Sequence, residues 1–119
     1  MVTGLDHIQL ALPAGAESRM RQFYCAHLRL VEVTKPAALQ ARGGFWAKAG
    51  ESDIHFGVDP DFYPATKAHP AFVVKDIQQL AQQLFGAGFD VRWDRALPAV
   101  IRFFTTDPAG NRIEIIASP

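Results

Sequence analysis

The chain has 119 residues, enough for one ordinary domain and too few for two independently cored ones. Hydrophobic residues make up 49%, so a packed core is expected and a disordered chain is excluded. Twelve basic residues balance twelve acidic ones, which leaves no general electrostatic handle for nucleic acid or anionic membrane. No apolar run suffices to span a bilayer, no secretory pattern opens the chain, and the single Cys25 can form no internal disulfide; a cytoplasmic protein is expected.

From Leu5 to Leu12 the pattern alternates, with Ile8, Leu10 and Leu12 on one parity and His7, Gln9 and Ala11 on the other, which predicts a half-buried strand. Pro13-Ala14-Gly15 ends it, and a helix is expected from Glu17 to His27, with Met20, Phe23, Tyr24 and Leu28 at helical spacing. Leu30 to Val33, Phe45 to Lys48 and Ile54 to Val58 read as three further strands. The second half repeats this order. Ala68 to Lys75 reads as a strand with Pro70 near its start, where a missing N–H is tolerated. Asp76 and Gln79 form a capping-box pattern before Ile77, Leu80, Ala81, Leu84 and Phe85, the stripe of an amphipathic helix that Gly86 and Gly88 stop. Val91 to Trp93, Ile101 to Thr106 and Arg112 to Ala117 complete the strands.

The register of the halves supports a duplication: His7 and His69 are 62 residues apart, and Gly50 and Gly110 are 60 apart. The expected fold class is therefore α+β, a single domain of two βαβββ modules (about 1–58 and 68–119, with 59–67 as linker) forming a cupped mixed β-sheet with helices on its outer face. One helix covers only one face of each sheet, so the other face is expected to line a cavity.

The inward parity contains His7, Gln9, Ala11, His69, Ala71, Val73 and Glu114. Glu114 lies between Ile113 and Ile115, and a carboxylate on such a face is costly unless it meets a cation. A single strand histidine is usually only a partly exposed side chain; two at matching repeat positions, with a glutamate on the same face, point instead to a divalent metal site. Histidine nitrogen and carboxylate oxygen suit Fe, Mn, Ni, Zn or Co. A fourth ligand from the last strand of the first module is His55, Asp53 or Glu51; His55, flanked by Ile54 and Phe56, is preferred narrowly.

The segments Leu5-Asp6-His7-Ile8-Gln9-Leu10, Arg21-Gln22-Phe23-Tyr24, Lys67-Ala68-His69-Pro70-Ala71-Phe72 and Phe103-Phe104-Thr105-Thr106-Asp107-Pro108-Ala109-Gly110-Asn111-Arg112-Ile113-Glu114 resemble the vicinal oxygen chelate superfamily of glyoxalase I, fosfomycin and bleomycin resistance proteins and extradiol dioxygenases. The resemblance spans nearly the whole chain. It implies paired modules, a homodimer, and a metal on His7, His69 and Glu114 that acts as a Lewis acid on two neighbouring oxygens of a small-molecule substrate. Glu114 would then also move protons. Two departures stand out. Asp53-Ile54-His55 replaces the usual acidic ligand ahead of the linker, and Leu28-Arg29-Leu30 replaces the common Leu-Gly-Leu.

The first reading is thus a metal-dependent glyoxalase- or dioxygenase-like enzyme (lyase, isomerase or dioxygenase). The alternative is a non-catalytic, bleomycin-resistance-type protein that sequesters a small molecule. Arg92, Arg102 and Arg112 are candidate anion clamps, with Arg102 and Arg112 expected on exposed parities or rims. Trp46, Trp93, Phe103 and Phe104 are expected to serve mainly in packing, and Cys25 has no evident basic partner.

Overall fold

Ile8, Leu10 and Leu12 bring β1 (His7–Leu12) onto its core with Leu12 wholly buried, while Leu5 stays outside the strand and exposed. The computed structural model describes residues 1–119, which form two compact units, Met1–Tyr63 and Pro64–Pro119. Each carries the strand, helix, strand, strand, strand order read from the sequence.

In the first unit α1 (Glu17–Arg21) is followed by β2 (Val31–Val33), β3 (Phe45–Ala49) and β4 (Ser52–Val58), and the sheet order is β1-β4-β3-β2. β1 runs parallel to β4; the other pairs are antiparallel. The expected helix to His27 is not uniformly α-helical: Gln22–His27 widens to a π-helix, in which the Leu28 N–H donates to the Phe23 carbonyl at 3.0 Å. In that stretch Phe23 and Tyr24, neighbours in sequence, are both fully buried. Tyr24 meets Phe56 at 4.6 Å between ring centroids and Phe56 stacks on Phe45 at 4.3 Å, so this core is largely aromatic. Each fully buried side chain of this kind contributes about 1.5–3 kcal/mol.

The helix stops at Arg29, whose φ of 62° lies in the left-handed region, while the Leu30 N–H closes the end on the Tyr24 carbonyl at 2.9 Å. A 3₁₀ segment not foreseen from the sequence, Ala37–Arg42, precedes β3. Lys35 Nζ ties it down by donating to the carbonyls of Leu39 (2.9 Å) and Gly43 (2.6 Å). At Gly44 (φ 74°) any Cβ would collide with the Phe56 carbonyl.

The second unit contains β5 (Ala71–Val74), α2 (Ile77–Gly86), β6 (Arg92–Asp94), β7 (Arg102–Thr106) and β8 (Arg112–Ala117), in sheet order β5-β8-β7-β6. β5 is shorter than the Ala68–Lys75 strand expected, and His69 precedes it instead of opening it. Pro70, having no N–H, cannot donate to the ladder, although its carbonyl accepts from Glu114 N at 3.0 Å. The cap of α2 forms as expected, Asp76 Oδ1 accepting from Gln79 N at 3.0 Å. Ile77, Leu80, Ala81 and Leu84 are buried, but Phe85, at the margin of the stripe, is exposed. Gly88 (φ 90°) closes the helix.

Between β7 and β8 the Asp107 carboxylate accepts from Ala109 N (2.8 Å), Asn111 N (3.0 Å) and Asn111 Nδ2 (3.0 Å). Asn111 Oδ1 in turn accepts from Ala65 N at 3.0 Å. This buried turn fixes the β7–β8 register: Thr106 faces Arg112, Phe104 faces Glu114 and Arg102 faces Ile116. No helix is long and apolar enough to cross a membrane.

Candidate functional site

In the second unit, alternation places Ile113 and Ile115, both fully buried, on one face of β8 and Glu114 on the other. Glu114 is itself 95% buried, so its charge must be answered. Two groups answer it: His69 Nε2 lies 3.1 Å and Arg102 Nη1 3.4 Å from the same oxygen, Oε1. Arg102 also pairs with Asp94 at 3.4 Å, and only 17% of its side chain is exposed. The expectation that Arg102 sits on an exposed parity or rim is therefore corrected. Antiparallel partners share a face, so Arg102 lies on the face of Glu114 and Ile116. The signal was available in the sequence: counting back from the Asp107–Asn111 turn gives this register directly.

The donor roles at His69 follow from its partners. Nδ1 is 2.9 Å from the Lys67 carbonyl oxygen, which can only accept, so Nδ1 carries hydrogen. In the neutral ring Nε2 is then a lone pair facing the Glu114 carboxylate. Two acceptors at 3.1 Å repel unless a proton or a metal ion accompanies them. Two donors each about 2.1 Å from one ion stand roughly 3.0–3.4 Å apart at octahedral or tetrahedral angles, so the pair fits a divalent ion. Around it, His69 meets the edge of Phe104 at 5.3 Å between centroids.

In the first unit the like face carries His7, Gln9, Trp46, Asp53 and His55. His7 Nδ1 is 2.7 Å from Asp6 Oδ2, which places a hydrogen there; in the neutral ring Nε2 is then a lone pair, the arrangement common in metal-ligating histidines. His55 lies between two rings, stacked on His7 at 4.1 Å and on Trp46 at 3.7 Å. Burial, and then the repulsion that a second protonated imidazole at His7 would add, hold the His55 imidazole below its ordinary pKa, which favours its neutral, donor form. Of the other two candidates, Asp53 is engaged by Lys48 at 2.9 Å, whose ammonium lowers its pKa, and Glu51 is exposed at the β3–β4 turn. Gln9 lies against Gly57, where a Cβ would strike its amide. A cavity of about 630 Å³ borders this face, lined among others by His7, Trp46, His55, Leu39 and Arg42.

Neither unit by itself gathers three His, Cys, Asp or Glu side chains to hold an ion. Burial raises the Cys25 pKa above the ordinary thiol value, which suits no nucleophilic role.

No family model matches the sequence, and no curated protein matches it. Among solved structures, a glyoxalase family protein from Bacillus anthracis is 44% identical, with a TM-score of 0.93, over 100% of this chain and 98% of that one. The chain belongs to the glyoxalase family. That family sits in the vicinal oxygen chelate superfamily, as the sequence resemblance implied. Fold likeness extends to two more distant proteins. Fosfomycin resistance protein FosX from Listeria monocytogenes, in complex with manganese(II) and a dihydroxypropylphosphonic acid, is 14% identical with a TM-score of 0.79, over 100% of this chain and 93% of that one. Lactoylglutathione lyase from Agrobacterium tumefaciens is 17% identical with a TM-score of 0.69, over 93% and 92% of the two chains.

Proposed function

We propose that this glyoxalase-family protein is a metal-dependent enzyme acting on a small molecule with two neighbouring oxygens, as a lyase, isomerase or dioxygenase. On this reading the two repeats work as one domain, the chain acts as a homodimer, and the metal ligands are His7, His55, His69 and Glu114. One observation carries the reading: the Lys67 carbonyl takes the only hydrogen of a neutral His69, so Nε2 and Glu114 Oε1 present two acceptors to one place. The manganese(II) bound by the FosX relative accords with such a donor set. Bound there, a divalent ion (Fe, Mn, Ni, Zn or Co) supplies Lewis acidity toward oxygens of the substrate.

The residues of this chain do the rest. The Lys67 carbonyl fixes the His69 tautomer, and Arg102 holds Glu114 in its rotamer from the flanking strand. The second carboxylate oxygen of Glu114, which neither contact uses, can accept or return a substrate proton. Phe104, opposite Glu114 on β7 and itself buried, screens the carboxylate from water.

The test is the metal content of protein purified without tag or chelator, followed by reconstitution with each ion. Near-stoichiometric metal in the parent, lost in Glu114→Ala and in His7→Ala, is expected, together with turnover of a 2-oxoaldehyde–thiol adduct, a catechol or an epoxide by the loaded protein. Protein that takes up none of these ions on reconstitution overturns the reading.

A second reading rests on the first unit. The Trp46–His55–His7 ring stack beside a cavity of about 630 Å³ suits a flat ligand, and favours sequestration without turnover, as in bleomycin resistance proteins. Tight binding by metal-free protein, quenching Trp46 fluorescence, supports that alternative.

A further inference from the structure

Around Phe104 the second unit gathers three guanidiniums, and its acids are shared unevenly among them. The register places Arg92, Arg102 and Arg112 on the same face of the sheet as Glu114. Arg102 is committed to Glu114 and Asp94, and Arg92 to Asp90 at 3.1 Å and the Thr106 hydroxyl at 3.3 Å. Arg112 is different. Its side chain makes neither a hydrogen bond nor an ion pair; its guanidinium lies 4.1 Å from the centre of the Phe104 ring, the same ring that His69 meets edge-on. On the same face Arg102 Nε is a buried donor without a partner, whereas Arg112 is only partly buried.

We propose that Arg112, with Arg92 beside it, is an oxyanion subsite that takes a carboxylate or phospho group of the small molecule handled at His69 and Glu114. The inference rests on the reading of that pair as the reacting centre. A guanidinium has five N–H donors in a planar fork, and a carboxylate or a phospho group offers two oxygens at matching spacing. Resting on an aromatic ring fixes the group and removes part of its water, so its charge acts more strongly than that of a freely solvated arginine. The acids of this face pair with Arg92 and Arg102, so the guanidinium of Arg112 has no acid of its own and its N–H donors are open to a ligand. The subsite therefore selects an anionic substrate over a neutral one of the same shape.

Acetate, inorganic phosphate and neutral acetamide are titrated into EDTA-treated protein at constant ionic strength, with the Phe104 ring and His69 resonances as reporters. We expect saturable shifts with at least one of the two anions and none with acetamide; which anion binds tells whether the source is a carboxylate or a phospho compound. Affinity falls at least tenfold in Arg112→Gln and is partly kept in Arg112→Lys, while an Arg19→Gln surface control leaves it unchanged. Shifts that follow ionic strength alone, or an affinity equal in Arg112→Gln and the parent, overturn the proposal. Metal uptake is measured on the same samples. Anion binding in a protein that takes no metal sustains the subsite and removes the proposed enzyme; metal uptake with no Arg112-dependent anion binding does the reverse.

Discussion

Where the second unit has Glu114 opposite Phe104, the first has His55 opposite Trp46. The two sheets have the same strand order and pairing directions, so these are like positions on like faces. Their environments diverge. His55 is held by rings on both sides and stays neutral, whereas Glu114 is buried beside a guanidinium and an imidazole. Equivalent positions of the two sheets thus carry two kinds of donor: a ring whose charge is suppressed by burial and then by a neighbouring imidazole, and a carboxylate whose charge is balanced. The difference matters for stability, because a buried charge that loses its partner is costly while a stacked neutral ring that loses a neighbour is not.

The largest contrast should come from removing the cation of each face. Arg102→Met leaves a nearly buried Glu114 without its guanidinium and is expected to cost about 3 kcal/mol, read by urea denaturation. The corresponding change on the first face, Lys48→Met beside the half-exposed Asp53, should leave the midpoint where it was. Glu114→Gln in the Arg102→Met background should recover much of the loss; equal effects of Arg102→Met and Lys48→Met would erase the contrast.

The helix ends give a second, smaller contrast. Both helices stop on a left-handed residue, Arg29 in the first unit and Gly88 in the second. A side chain there costs on the order of 1 kcal/mol, so Arg29→Gly should raise the melting temperature and Gly88→Ala should lower it. The sequence showed Arg29 in the place of a common glycine; the structure shows that the left-handed conformation is kept regardless of the residue.

The smallest effect is one of pH. His55 holds its proton less tightly when folded than at its ordinary value of 6.5, so the unfolded chain binds the extra proton first on acidification. The stabilisation is complete above that value and is lost as pH falls through the depressed folded value. An NMR titration of the imidazole signals should place His55 below 6.5, and Trp46→Ala, which opens one side of its ring, should move it back toward that value.

Much of this was legible in the order of residues. Parity alone separated His7, His55 and Glu114 from the apolar sides of their strands, and Asp76 with Gln79 announced α2. The π-helix at Gln22–His27 was not, because its spacing differs from an α-helix by a single residue. The 3₁₀ segment Ala37–Arg42 carries no buried residue, and so has no hydrophobic period to betray it. Arg102 was misjudged because exposure was assigned strand by strand, without pairing β7 to β8 through their turn.

What the chain determines by itself is whatever a few consecutive residues decide: strand parity, helix caps, the turn held by Asp107 and Asn111, and the doubled order of elements. These depend on local backbone geometry and on a period of two or about four residues. Tertiary structure alone decided that one carboxylate oxygen serves both His69 and Arg102, that Trp46 and His7 enclose His55, and that Arg112 is left over Phe104 without a counter-charge. Each of those depends on which residue of one strand lies beside which residue of another, and on which way their side chains turn. For β1 with β4 and β5 with β8, whose partners lie 46 and 43 residues apart, that register is fixed by packing of the whole unit and not by any local signal.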